Sequence, residues 1–125
     1  MTPTDSVRRL AWTLGSLVMV LGVALGAFGS HGLERVVSDP HLRDVWDTGV
    51  RYHLLHGLAL LLCGAHPRPP RGVLALFGLG IVLFSGSLYA LSLTGIGVLG
   101  AITPLGGLCF LAGWGWLAVA SRRMP

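Results

Sequence analysis

From Gly72 to Ser121 the chain runs fifty residues without one charged side chain. One membrane crossing takes about 20 apolar residues, so this run is too long to cross once and must turn back. The turn falls in "TGIGVLGAITP". Three glycines there precede Thr103–Pro104, a capping residue followed by the proline that suits a first helical position. Two spans result, at 72–93 and 104–120. The whole chain is 53% hydrophobic and 11% charged, against about 25% charged for soluble domains.

Upstream, Leu10 to Ser30 is also uncharged and would reach about 31 Å as a helix, enough for a bilayer core. Arg8 and Arg9 precede it, as basic residues precede a signal peptide. The stretch exceeds a signal h-region, however, which favours a retained helix. Between 30 and 45 the chain turns polar. Asp39–Pro40 is a second cap-plus-proline pair. From there Leu42, Val45, Trp46, Gly49, His53 and His56 share one helical face. Arg43–Asp47 and Asp47–Arg51 stand at i,i+4. This helix starts amphipathic, becomes a span over 45–65, and stops at "HPRPPR", where prolines break it. The expectation is all-α: a single domain over 1–125, an integral membrane four-helix bundle. Its spans lie near 10–30, 45–65, 72–93 and 104–120, with a short amphipathic helical segment before the second.

The net charge of +4 is carried by arginine alone. The arginines sit at segment ends and form no single basic surface, which argues against nucleic acid as a partner. With four spans, Arg8, Arg9, Arg68, Arg71, Arg122 and Arg123 share one side. The positive-inside rule then puts both termini in the cytoplasm of a multi-pass inner-membrane protein. Trp12, Trp114 and Trp116 lie near span ends, as interfacial anchors do, although Trp114 is deep for that role. Cys63 and Cys109 lie in apolar runs without CxxC spacing, so neither a disulfide framework nor a zinc site is expected.

Polar residues gather by depth. This topology puts His31, Arg51, Tyr52 and His53 at outer span ends, with His56 one turn deeper. Ser85, Ser87, Tyr89, Ser92 and Thr94 occupy the outer half of the third span, and Thr103 opens the fourth. Ser85, Tyr89 and Ser92, at i, i+4, i+7, share a face. Lipid cannot satisfy such groups, so they face one another, water or a ligand. A small-residue row, Gly22, Gly26 and Ser30, with Gly15 a heptad earlier, suits close helix packing. Gly78, Gly86, Gly106, Gly107 and Gly113 suggest the same for the third and fourth spans.

Four stretches, "GAFGSHGL", "YHLLHGLALL", "LFSGSLYALSLTG" and "ITPLGGLCFLAGW", stand in this order. Together they resemble the family of small four-span membrane proteins known as domain of unknown function 423, which includes transmembrane protein 256-like proteins. The resemblance covers nearly the whole chain and implies a helical inner-membrane protein in bacteria. It implies no activity. Ser30 stands where alanine is expected in many members, a small-for-small change.

Several chemistries remain open. His53 and His56 at i,i+3, joined by His31, would make a three-nitrogen metal site, but no carboxylate lies deeper in a span than Asp47 to complete it. Helix-to-helix hydrogen bonding is the plainer use of these rings, and no resident cofactor is expected. Arg51 suits an anionic headgroup, or simply snorkels beside Asp47. Serine–histidine catalysis lacks an orienting carboxylate. The reading adopted is a binding or helper module with a polar pocket toward the outer face. His31, Arg51, Tyr52, His53, His56, Ser85 and Tyr89 would line it. Its ligand would be a lipid headgroup, a small polar solute or a partner membrane protein, with a homo-oligomer also open. The alternative is a small proton-linked transporter using His53 and His56 as relays.

Overall fold

A computed structural model describes residues 1–124 of the chain. Four helices carry the fold, joined by short turns. Helix α1 (Pro3–His31) starts ahead of the uncharged stretch, because Thr2 and Asp5 form a reciprocal capping box. The Asp5 amide donates to the Thr2 hydroxyl at 3.1 Å, and the Thr2 amide donates back to the Asp5 carboxylate at 3.0 Å. These bonds satisfy two of the amides that a helix start leaves open. Helix α2 (Pro40–Ala65) is capped by Asp39, whose carboxylate accepts the His41 amide at 2.9 Å. The amphipathic segment expected before the second span is therefore the opening of α2 itself, continuous with the rest. Arg43 serves the connection rather than the helix surface: its guanidinium donates to the carbonyls of Val37 at 3.1 Å and Ser38 at 3.3 Å.

Helix α3 (Arg71–Thr94) contains a π turn over Ile81–Ser85. Phe77, Ile81 and Ser85 recur every four residues on its buried face. A regular α-helix would drift off that face, and the wider i→i+5 turn absorbs the drift. Gly95 ends α3 in the left-handed region at φ 69°, a conformation that favours glycine. A 3₁₀ turn at Gly97–Ala101 leads into α4 (Thr103–Ser121).

Helices α1, α3 and α4 are long and apolar enough to cross a membrane. Helix α2, which carries Arg51, His53 and His56, is not among them, and it is the central helix. Helices α1 and α3 both pack on it, while α4 packs chiefly on α3. Charge and imidazole reduce its apolarity; the neighbouring helices cover His53 and His56, while Asp44, Asp47 and Arg51 stay exposed.

The α1–α2 contact runs antiparallel in strict register, with small residues opposite large ones. A Cβ on Gly15 would meet Leu61, on Gly22 Leu54 and His53, on Gly26 Val50, and on Gly29 Trp46. In the reverse direction, a Cβ on Gly57 would meet Met19 and one on Gly64 would meet Trp12. Such rows bring backbones together where no hydrophobic effect drives association. Gly22 and Gly26 stand in this contact, whereas Ser30 is exposed and Gly29 faces Trp46. The true row is a heptad, Gly15–Gly22–Gly29, and it matches the 3.5-residue repeat of an antiparallel helix seam. Between α3 and α4, Phe110 sits over Gly80, Phe77 over Gly113, and the Phe84 backbone against Gly106. Gly78 and Gly86 face open space, so they take no part in that packing.

Candidate functional site

The face of α3 marked by Ser85, Tyr89 and Ser92 lies directly on α2. Ser85, fully buried, donates to the Gly49 carbonyl at 2.7 Å. One helical turn on, the Tyr89 hydroxyl meets His53 Nδ1 at 3.0 Å. Ser92 then donates to the Leu42 carbonyl at 2.6 Å. Gly49 lets the Tyr89 ring approach, since a Cβ there would stand 3.0 Å from it. Three polar rungs thus fasten α3 to α2. Serine can use a backbone carbonyl here because that oxygen keeps a lone pair after its helical bond.

The two histidines are fixed by their partners. His56 Nδ1 lies 2.8 Å from the Tyr52 carbonyl, which can only accept, so that nitrogen carries the proton. Its Nε2 takes the Trp114 indole N–H at 3.0 Å. The ring is neutral, protonated on Nδ1, and stacked on Phe110 with centroids 3.5 Å apart. His53 is the opposite tautomer. Its Nε2 donates to the Val18 carbonyl at 2.8 Å, and in the neutral ring Nδ1 then accepts from the Tyr89 hydroxyl. Both rings are 2% exposed. His53 joins three helices, and it reaches α1 only because Gly22 has no side chain: a Cβ there would lie 3.2 Å from Nε2. Among the described residues, every buried side-chain nitrogen and oxygen has a hydrogen-bond partner.

The remaining expected site residues are dispersed. His31 ends α1 and is exposed, apart from His53 and His56. Among the described residues, no three His, Cys, Asp or Glu side chains gather closely enough to hold a metal. Arg51 is exposed, and Tyr52 is 37% exposed with its ring 4.5 Å from Phe84. Two residues matter more than sequence reasoning indicated. Trp46 donates to the Leu25 carbonyl at 3.0 Å and packs against Tyr89 and Phe28. Its position on the buried stripe of α2 was the available signal. Trp114, which by sequence lies deep for an interfacial anchor, bridges α4 to His56; nothing local to it foretells that bond.

The backbones of α2 and α4 stand apart, bridged by His56 with Phe110 and Trp114, and a furrow runs between them. Its half nearer the α2–α3 polar rungs is a cavity of about 520 Å³ lined by Tyr52, Leu55, Phe84, Gly107, Phe110 and Trp114. The half nearer the chain termini, about 560 Å³, is lined by Leu62, Cys63, Trp114, Leu117 and Met124 among others. Trp114, tied to His56 and 38% exposed, stands between the two halves.

Comparison with known proteins gives a consistent picture. A family model described as protein of unknown function (DUF423) matches residues 25–107. The chain is similar to the UPF0382 membrane protein YwdK of Bacillus subtilis, 47% identical over 116 residues, covering 88% of this chain and 94% of the relative. It is likewise similar to the UPF0382 membrane protein SH2409 of Staphylococcus haemolyticus, 46% identical, with 92% and 97% covered. A UPF0382 membrane protein of Schizosaccharomyces pombe is 41% identical, with 86% and 98% covered. No solved structure matches.

Proposed function

The chain belongs to the DUF423 family of membrane proteins, which carries no assigned activity, and on the geometry we propose that it is a binding or helper module of the bilayer. Its ligand lies in the furrow between α2 and α4, in the half beside Arg51 and Tyr52. The observation that supports this is the distribution of satisfied and open surface. His53, Ser85 and Tyr89 are engaged inside the bundle, and His56 is held by Trp114. Of these, His56 is on the lining of the furrow. What stays open is an aromatic cavity of about 520 Å³, with the Tyr52 ring on its lining and Arg51 exposed next to it in the chain. That combination suits an amphipathic membrane component, with an apolar body against Phe84 and Phe110 and a polar group toward Arg51. A lipid satisfies it better than a small polar solute. A partner helix laid in the same furrow is the other outcome of the test. In this reading the termini face the cytoplasm and the Tyr52 end faces outward.

Proton-linked transport draws no support from this arrangement. Each imidazole has both nitrogens engaged, and protonating His56 would place two donors, its own Nε2–H and the Trp114 N–H, against each other.

Gly107→Leu tests the proposal, since a side chain there enters the cavity and its Cβ meets nothing closer than 3.9 Å. Native mass spectrometry of protein extracted in mild detergent should show a bound lipid-mass or polypeptide adduct on the parent. The variant should carry one adduct fewer than the parent while remaining monodisperse. An unchanged number of adducts on the variant refutes the Tyr52 half of the furrow as the site.

A further inference from the structure

The end of the bundle that carries both termini has a composition of its own. Arg8, Arg9, Arg68, Arg71, Arg122 and Arg123 gather there, and Asp5 is the only acidic side chain in the segments that reach it. Asp5 is engaged in the cap of α1. Arg8 is also spoken for, since its Nε donates to the Gly64 carbonyl at 3.1 Å.

At this end the furrow continues into a second cavity of about 490 Å³, which shares His66, Pro67 and Met124 with the apolar half described above. Arg68 and Arg123 line this second cavity. One arginine follows α2 and the other follows α4, so they stand on opposite walls. His66 lines both cavities. Its Nδ1 accepts the Arg68 amide at 3.0 Å, which leaves the proton of the neutral ring on Nε2, available to donate.

We propose that this end of the furrow is an anionic-phospholipid site. The phosphate lies between Arg68 and Arg123 with His66 beside it, and an acyl chain runs along Leu62 and Leu117 toward Trp114. Charge complementarity selects the occupant. A cationic rim over an apolar trough matches an acidic headgroup on a hydrocarbon tail. From Ser121 to Trp114 is two helical turns, about 10 Å of trough, and Trp114 closes its far end. An acidic segment of a partner protein would use the rim and leave the trough empty. Free phosphate would do the same. The site is separate from the outer half of the furrow, and Gly107→Leu does not touch it.

The test uses the full chain in nanodiscs or mild detergent, with native mass spectrometry under competition between phosphatidylglycerol and phosphatidylcholine of equal chain length. The parent should prefer phosphatidylglycerol. The double variant Arg68→Gln, Arg123→Gln should lose about 30-fold of that preference, about fivefold for each arginine. Leu117→Trp, which fills the trough, should reduce retention of both lipids. Arg9→Gln, Arg122→Gln removes the same charge away from the cavity lining and should keep the preference. Three results would overturn the proposal. One is equal loss in the Arg9, Arg122 control, which means diffuse surface charge. Another is competition by inorganic phosphate or an acidic peptide as strong as by lipid. The last is an unchanged preference in Arg68→Gln, Arg123→Gln.

Discussion

The bond between Tyr89 and His53 offers the sharpest perturbation, because one atom can be removed without touching the packing. Tyr89→Phe keeps the ring against Gly49 and Trp46 and deletes only the hydroxyl. His53 Nδ1 then loses its 3.0 Å partner in a site that is 2% exposed. A hydrogen bond between membrane helices is worth about 0.6 kcal/mol on average and about 1.7 at most. A buried group left unpaired costs about 1–3 kcal/mol. Tyr89→Phe should therefore destabilise the bundle by about 1–2 kcal/mol. The second arm is His53→Gln. The Gln amide can stand in for the Nε2–H that reaches the Val18 carbonyl, but it has no acceptor atom at the position of Nδ1. In that background Tyr89→Phe should cost less, and the coupling between the two sites should be about 1 kcal/mol. Steric-trapping or denaturant unfolding in bicelles on the four proteins of the cycle gives the number. Coupling indistinguishable from zero, with all four proteins folded, would refute the claim that these side chains bind each other rather than a ligand.

Other perturbations divide the glycines. Gly106→Ala places a methyl against the Phe84 backbone, which cannot swing aside, and should cost about 1–3 kcal/mol. Gly115→Ala meets nothing within 4 Å and should be neutral or stabilising in the same unfolding assay. Trp114→Ala removes the partition of the furrow, so maleimide labelling of Cys63, which is 1% exposed and lines the inner half, should accelerate severalfold. Gly95→Ala sets an alanine at φ 69° and should lose about 1 kcal/mol. A cysteine-accessibility map should report Ser121→Cys and Arg68→Cys from one side of the membrane and Asp44→Cys from the other.

Much of the fold was readable because lipid imposes simple rules. The uncharged run from Gly72 had to turn back, and it does so at Gly95 and Thr103. Asp39–Pro40 starts α2, as the capping chemistry requires. The shared face of Ser85, Tyr89 and Ser92 followed from spacing alone. What they face did not, because a helical repeat tells which residues share a face and not which helix meets it. The π turn left no mark in the sequence beyond glycines at Gly80 and Gly86. Ser30 was a fair small residue by spacing, but the seam with α2 follows sevens, and that selects Gly29 opposite Trp46. His56 and Trp114 are 58 residues apart, a pairing that only the folded chain reveals. The open half of the furrow escaped notice for the same reason: it results from α4 packing on α3 and standing off α2.

The central claim is that the two buried imidazoles of α2 are neutral structural bridges with opposite tautomers. Nitrogen-15 NMR of histidine-labelled protein in lipid nanodiscs reads this directly. The account predicts His53 protonated on Nε2 and His56 protonated on Nδ1, both static at neutral pH, with the His56 Nε2 signal shifted on Trp114→Phe. An imidazolium signal, or rapid tautomer exchange at either ring, would contradict it.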